Sequence, residues 1–309
     1  MKEKPNKTVE RQSLAQVLEV SRRFVTLYTE AGDVIIGTSA SKNVELVAGD
    51  SVAFEMRDGE PFVTERMPAS RCLCRTFHGA QKRMGANIDR LCVITACGAT
   101  WNPIAIDRML AAGSVEGIPT TLIVNKLDLG LGPISEMVET YSRVGIHVLQ
   151  CSAKFGEGVE QVHALLTEPD VSVMALCGVS GVGKSTILNA LIPGTKAKTG
   201  EVSEKTGQGK QTTSQPRGFL AQQGEGRAKI VIDLPGVQFF GLSHLSEDSV
   251  ASAFSEIREY AQGCKFRDCS HVKEATCAVR EGVASGEIAA WRYQSYLQVL
   301  DEVREANKW

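Results

Sequence analysis

The 309-residue sequence has no apolar run approaching the roughly 18 residues that a membrane-spanning helix needs. Its first residues, MKEKPNKTVERQ, lack the apolar core of a secretory signal, so a cytoplasmic location without membrane association is expected. An excess of charge of one sign is missing as well. With 34 basic against 36 acidic side chains and a formal net charge of −2, any nucleic-acid partner must be met through local patches rather than a global field. No internal repeat or low-complexity tract is apparent, which argues against a repeat array. A disulfide framework is not expected either. Nine cysteines in a reducing compartment read as packing residues or metal ligands.

The length calls for two or three compact units. From about residue 12 to 68, short β-rich runs such as 16–20, 24–28 and 50–55 alternate with turn signals at Ala31-Gly32-Asp33, Ala48-Gly49-Asp50 and Asp58-Gly59. Five or so strands in this length fit an OB-fold barrel, although periodicity does not separate it from an SH3-like one. After a linker the texture changes. Apolar runs at Leu91–Ala96 and Thr120–Val124 read as strands buried on both faces, with helical patterns near 103–114, 134–143, 157–167 and 184–192. That is the rhythm of a doubly wound α/β domain. A helix near 286–306 closes the chain, with Trp291, Tyr293, Tyr296, Leu297, Val299, Leu300 and Val303 on one face. The expected division is a barrel at 1–70, a linker at 71–89, an α/β domain at 90–242 and a helical domain at 243–309. Monomer is the default oligomeric state.

Gly178-Val179-Ser180-Gly181-Val182-Gly183-Lys184-Ser185 follows the apolar run 171–177 and precedes a helix-compatible stretch, the context a phosphate loop requires. Its glycines let successive N–H groups point at phosphate oxygens, and the helix N-terminus through Thr186 adds its positive end. Lys184 would neutralise the β and γ phosphates as a catalytic cation, and Ser185 would offer its hydroxyl to Mg²⁺. Asn125-Lys126-Leu127-Asp128 sits at the end of the strand 120–124. The Asp128 carboxylate there can accept from guanine N1 and N2, a donor pair adenine lacks. At roughly 1.5–3 kcal/mol for a hydrogen bond to a charged group, this is worth about two to four powers of ten in preference. Ser152-Ala153-Lys154 has the form of the loop that backs the guanine ring.

Asp233-Leu234-Pro235-Gly236 closes another apolar strand. Asp233 would hold Mg²⁺ through water and the Gly236 amide would sense the γ-phosphate. Between the two motifs, 195–214 reads as a first switch, with Thr212 or Thr213 as a second Mg²⁺ ligand. The order is the informative point. The base motif lies 53 residues before the phosphate loop, the reverse of an ordinary GTPase, so the domain is circularly permuted. Where a Ras-like enzyme has a water-orienting glutamine stands Val237, so slow intrinsic hydrolysis is expected. Gln238, next to it, is out of register for a replacement.

Cys264, Cys269, His271 and Cys277 fall within fourteen residues. Three thiolates and one imidazole make a closed tetrahedral site of structural type, for which zinc is the expected metal. The remaining cysteines, including the Cys72-x-Cys74 pair, read as packing residues.

Taken with Ala86-Asn87-Ile88-Asp89, Cys264-Lys265-Phe266-Arg267-Asp268-Cys269-Ser270-His271 and Arg292-Tyr293-Gln294-Ser295-Tyr296-Leu297, these motifs resemble the bacterial ribosome small subunit-dependent GTPase A family over nearly the whole chain. The resemblance implies a multidomain protein of an N-terminal all-β OB-fold barrel, a permuted P-loop GTPase domain and a C-terminal α-helical zinc domain. It further implies a GTP hydrolase that binds the small (30S) subunit and its rRNA late in maturation, is stimulated there, and leaves after hydrolysis. Members usually carry a histidine before the paired threonines, a candidate for positioning water. Here that residue is Gln211, which can itself hydrogen-bond water.

Bottom-up support for RNA binding is thinner. Residues 1–70 hold nine basic and eleven acidic side chains, no electrostatic footprint. Arg71, Arg75, Lys82, Arg83 and Arg90, with Lys196, Lys198, Lys205, Lys210 and Arg217, supply local basicity instead. A nucleotide-gated rRNA-binding checkpoint with little catalysis is the alternative function. A permuted GTPase of the large subunit is disfavoured by the barrel and metal module.

Overall fold

A computed structural model describes residues 13–39, 45–194, 215–221, 226–235 and 240–307. The N-terminal unit consists of β1 (Ser13–Val20), β2 (Val25–Thr29), β3 (Val34–Ser39), β4 (Ser51–Arg57) and β5 (Glu60–Arg66). They run β1-β2-β3-β5-β4 and close because β4 pairs back onto β1. Only β3 with β5 is parallel. This five-stranded closure is that of an OB-type barrel, which settles the choice that periodicity left open. Inward positions at alternate residues, Ala15 and Val17, Val25 and Leu27, Val52 and Phe54, fill it. A bulge between Val17 and Glu19 turns the end of β1 out of the barrel, where Glu19 pairs with Arg217 and makes the barrel strands continuous with the central sheet.

The stretch 71–89, expected as a plain linker, contains a hairpin of β6 (Cys72–Phe77) and β7 (Ala80–Ala86). His78 and Gly79 at its tip both have positive φ, 49° and 75°, the two-residue turn that matches strand twist. The hairpin is bonded on both sides. Ala86 N–H donates to Ala48 O at 3.0 Å in the barrel, and Thr76 N–H to Gly241 O at 2.7 Å.

The central sheet comprises β8 (Arg90–Ala96), β9 (Thr120–Asn125), β10 (His147–Gln150), β11 (Val173–Cys177), β12 (Arg217–Ala221) and β13 (Lys229–Asp233), ordered β10-β9-β8-β11-β13-β12. All neighbours are parallel except at the β12 edge. Their near-continuous apolar sequences follow from burial on both faces: Leu91 and Val93 enter one hydrophobic layer, Cys92 and Ile94 the other. Covering them are α1 (Pro103–Val115), α2 (Ser135–Arg143), α3 (Val159–Thr167) and α4 (Lys184–Leu191). The start of α1 is set by Asn102, whose side chain accepts from Ala105 N–H at 3.1 Å, and by proline at the first position.

The C-terminal helices are α5 (Glu247–Ala253), α6 (Ser255–Ala261), α7 (Ala278–Ser285) and α8 (Ala290–Ala306). Val250, Phe254, Ile257, Tyr296, Val299 and Leu300 join Ile106, Met109 and Leu110 of α1 in one core. Among the described residues no helix is long and apolar enough to cross a membrane. The apolar stripe expected on α8 holds a charge in its middle. Arg292, 3% exposed, donates to Asp107 of α1 at 2.5 Å and, through two nitrogens, to Glu256 of α6 at 2.6 and 3.0 Å. The Tyr141 hydroxyl of α2 completes the group with a 2.8 Å bond to Asp107. One buried guanidinium and two buried carboxylates form a net only while all are present. Arg292→Met, which strands two buried carboxylates, should lower the unfolding free energy by about 3–5 kcal/mol in urea titration. A loss under about 1 kcal/mol would mean that the group is not a weld between the units.

Candidate functional site

The carboxyl ends of β8, β9, β11 and β13 open on the same side of the sheet, where a ligand crevice forms in such folds. Between β11 and α4 runs the loop Gly178 to Gly183. Gly183 has φ of 95°, and a Cβ there would lie 2.3 Å from the Asn125 amide nitrogen. A Cβ on Gly178 would likewise meet Ile94 O at 2.3 Å. Only glycine permits this approach. Val179, Ser180, Ser185 and Thr186 are half-buried around the loop and the first turn of α4, whose leading N–H groups have no partner within the helix.

Asn125 joins the sequence motifs. Buried at the end of β9, its Nδ2 donates to Val182 O at 2.9 Å in the phosphate loop, and its Oδ1 accepts from Ala153 N–H at 3.0 Å. The next residue, Lys126, takes a left-handed φ of 59°, and its ammonium reaches Gly181 O at 2.7 Å. Leu127 N–H donates to Cys151 O at 3.1 Å. The Ser152 hydroxyl donates to the exposed Asp128 carboxylate at 2.5 Å, while Ser152 N–H closes its own loop on Glu157 O at 2.8 Å. Lys154 is exposed beside them. Base motif, SAK loop and phosphate loop are thus one hydrogen-bonded body.

Asp233 ends β13 buried at 4% exposure, and Leu234 N–H donates to Leu176 O at 3.0 Å, which holds that strand end beside the phosphate loop. Lys184 lies over Gly178 O at 3.4 Å. Burial lowers its ammonium from the ordinary lysine range, and the nearby Asp233 carboxylate opposes that shift. A desolvated cation and a carboxylate at the mouth of a glycine loop are what a polyphosphate with Mg²⁺ requires. Gln211, Thr212, Thr213 and Gly236 lie outside the described residues.

The second constellation gathers Cys264, Cys269, His271 and Cys277, their ligand atoms all within 4.8 Å of one another. Cys264 Sγ lies 3.8 Å from Cys277 Sγ, and His271 Nδ1 lies 3.5 and 3.6 Å from those sulfurs. A tetrahedron with metal–sulfur bonds of about 2.3 Å and a metal–nitrogen bond of about 2.0–2.1 Å has edges of ~3.8 and ~3.6 Å. The donor set therefore fits a four-coordinate metal ion. The surrounding loop is well held. Glu274 accepts from the N–H groups of Ser270, Val272 and Lys273 at 2.9, 2.9 and 3.0 Å and from the Ser270 hydroxyl at 2.8 Å. Burial pushes that carboxyl up, but these bonds prevail and hold it at about 2. Tyr293 and Tyr296 of α8 donate to His271 O at 2.6 Å and Ser270 O at 2.9 Å.

A family model described as RsgA GTPase matches residues 66–243. The chain belongs to the RsgA GTPase family. Small ribosomal subunit biogenesis GTPase RsgA 1 of Vibrio vulnificus (strain YJ016) is 35% identical over 84% of this chain and 75% of its own length. Its counterpart in Haemophilus influenzae (strain 86-028NP), named RsgA, is 34% identical over 84% and 76%. YjeQ from Thermotoga maritima superposes with a TM-score of 0.73 at 25% identity, covering 94% of this chain and 98% of that one. YloQ, described as a circularly permuted GTPase, has a TM-score of 0.68 at 21% identity with 98% of both covered, a likeness of fold. As an RsgA GTPase, the chain is a GTP hydrolase.

Within this RsgA-type chain, several residues carry structural weight that no motif announced. Three of the five basic residues grouped near the hairpin are spent internally. Arg83 pairs with Asp50 at 2.5 Å, Arg90 with Glu168, and Arg71 approaches Asp89 at 3.8 Å, so Arg75 and Lys82 remain of that patch. Arg292, Arg108, Glu256 and Glu302 join domains from inside helical stripes, where only a charge out of phase with its polar face would betray them. Asn125→Ala leaves Val182 O and Ala153 N–H without their partner, at about 1–3 kcal/mol for each group stranded from water. Fluorescent-GDP titration should show at least a tenfold weaker Kd, and unchanged affinity would mean that the clasp does not hold the site together.

Proposed function

We propose that the chain is a late maturation factor of the small ribosomal subunit: it binds the subunit's rRNA in the GTP state, is stimulated to hydrolyse GTP there, and departs in the GDP state. The clasp of Asn125 across the three guanine-nucleotide motifs carries the nucleotide half of this reading. Relatives of about 35% identity named as small ribosomal subunit biogenesis GTPases carry the other half. Asp128 selects guanine, with the Ser152 to Lys154 loop, held in place by Asn125, backing the base. Gly178 to Thr186 cradle the phosphates, and Lys184 faces the β–γ bridge. Ser185 and Asp233, with Thr212 or Thr213, would hold Mg²⁺, which when bound neutralises the developing charge on the transferred phosphoryl group. The Gly236 amide donates to the γ-phosphate. Val237 cannot orient water, so Gln211 does so when the protein is on the subunit. The protein works in the cytoplasm.

The metal of the Cys264, Cys269, His271 and Cys277 site is Zn²⁺, one per chain, in a structural role. The path from the second switch to this module is short. Phe240 O accepts from Arg108 at 3.3 Å, Leu242 N–H donates to Glu302 at 2.7 Å, and Arg108 pairs with Glu302 of α8. From α8, Tyr293 and Tyr296 hold the carbonyls of the zinc loop. Displacement of the segment behind Pro235 when the γ-phosphate leaves therefore bears on the RNA-binding module.

GTP turnover with and without purified small subunits tests the function. Stimulation of at least roughly tenfold is expected, and equal rates would leave only the passive checkpoint. Gln211→Ala should lose most of that stimulation at unchanged nucleotide affinity. Stripping zinc with a chelator should abolish co-sedimentation with small subunits while GDP binding stays within about twofold, because the ligands of the two sites are separate. Retained co-sedimentation of metal-free protein would remove the module from the subunit contact.

A further inference from the structure

The hairpin carries a second cysteine constellation, apart from the metal cluster. Cys72 and Cys74 are two residues apart in β6 and therefore project from one face of the strand, with their sulfurs 3.8 Å apart. Cys72 is half-buried and reachable, and Cys74 is buried. From β7, Arg83 directs its Nε–H at Cys72 Sγ over 3.2 Å. Its remaining nitrogens grip the barrel, donating to Asp50 at 3.0 and 2.5 Å and to Glu45 O at 3.0 Å. The groups facing the pair are thus Arg83 and the more distant Asp50 at Cys72, and Gln81 and Glu116 at Cys74. No third ligand makes this a metal site among the described residues.

We propose that Cys72 and Cys74 are a redox-active dithiol, with Cys72 the attacking thiolate and Cys74 the resolving thiol, and with hydrogen peroxide as the oxidant. The Cys74 S–H donated to the Cys72 sulfur is the foremost influence on Cys72. Burial acts against it and the Arg83 guanidinium adds to it, and together they bring that thiol down to about 7, while the same bond pushes Cys74 up. The Cys72 thiolate attacks a peroxide oxygen. The O–O bond breaks, a sulfenic acid forms, and the departing hydroxide takes a proton to become water. Cys74, losing its proton, then attacks the sulfenic sulfur. The S–S bond forms, the S–O bond breaks, and a second water leaves. Two thiols have been oxidised by two electrons and the peroxide reduced by two.

The sulfurs must close to about 2.05 Å. A two-stranded ribbon with a register shift opposite Leu73 and Cys74 is compliant enough to allow it. Oxidation also removes one of the two anionic acceptors of Arg83, the residue that ties hairpin to barrel, and leaves it Asp50 alone. A cytosolic pair of this kind is expected to be transient rather than structural.

The test uses zinc-loaded, full-length protein pulsed with iodoacetamide across the pH range and cut with trypsin, which releases Cys72-Leu73-Cys74-Arg75 between Arg71 and Arg75. Alkylation of Cys72 should have its midpoint near 7. At neutral pH it should run roughly threefold faster than an ordinary thiol, after allowance for the weaker nucleophilicity of an acidic one. Arg83→Gln and Cys74→Ala should each move the midpoint upward. A hydrogen peroxide pulse should yield this peptide two hydrogens lighter, closed to alkylation and restored by reductant. In Cys74→Ser it should instead stop at a sulfenic acid that dimedone captures. A wild-type midpoint near 8.5, the ordinary cysteine value, would overturn the proposal. So would peroxide that leaves the peptide unchanged, or that carries Cys72 to sulfinic acid while Cys74 is present. Should Arg83→Gln not fold, Cys74→Ala carries the titration and Cys74→Ser the trapping.

Discussion

The buried side-chain amide of Asn125 is the contact on which the nucleotide site depends. In a permuted chain the base motif and phosphate loop are not ordered one after the other around the strand that usually begins the domain. They meet because β9 and β11 flank β8 in the same parallel sheet. Strand pairing through β8 leaves their ends two strand spacings apart, roughly 9.5 Å. A planar amide with a donor and an acceptor at fixed separation then sets the distance between loops, one end on Val182 O and the other on Ala153 N–H. An aspartate would lack the donor, and a glutamine would be a methylene too long for a site where Gly183 already leaves no room for a Cβ. The same amide that closes the pocket therefore explains why the residue beside it must be glycine.

A second constraint of the same kind lies on the other face of the sheet. Burying Arg292 with Asp107 and Glu256 costs several kcal/mol per ion in desolvation, which well-packed apolar residues would avoid. Burial alone pushes the Asp107 carboxyl upward, and Arg292 leads the groups that oppose it. The arrangement gains direction rather than stability. An apolar contact between α1 and α8 could slide, whereas a guanidinium bonded to two carboxylates on two helices permits one register. Arg108 and Glu302 repeat the device a few turns away and extend it to the backbone at Phe240 and Leu242.

Sequence patterns exposed the parts whose chemistry is local. Glycines at 178, 181 and 183, the Asn125 to Asp128 tetrapeptide and the Cys264 to Cys277 spacing each describe a loop that works within its own few residues, and all fall where the strand and helix patterns put them. What escaped was whatever depends on residues far apart. The bonds from Arg292 to Asp107 and from Arg108 to Glu302 span 185 and 194 positions, and no periodicity in one helix reveals a partner in another. The hairpin at 71–89 escaped for a different reason. Arg75, Lys82 and Arg83 give β6 and β7 a polar texture, because much of their surface faces water or pairs with Asp50 and not with a core. The SH3-like alternative fell to strand order, a property that alternation of apolar residues does not encode.

The permutation gains a mechanical meaning from these long-range bonds. In the usual chain order, the segment after the Asp-x-Pro motif leads back into the same sheet. Here the strand that ends at Asp233 is the last of the sheet, and the chain goes on from Pro235 to Phe240, Leu242 and the helical module without returning. Thr76 of the hairpin binds that exit as well, through Gly241 O at 2.7 Å and His244 N–H at 3.1 Å, so barrel side and helical side are both fastened to the same few residues. A displacement there cannot be absorbed by one domain alone. Thr76, Arg108 and Glu302 each hold a different backbone group of a segment five residues long, and moving it requires that hairpin, α1 and α8 either follow or release. Under the proposed function, the cut in the chain would convert a local change beside the phosphate loop into a choice between two arrangements of hairpin, α1 and α8, a switch rather than a graded deformation.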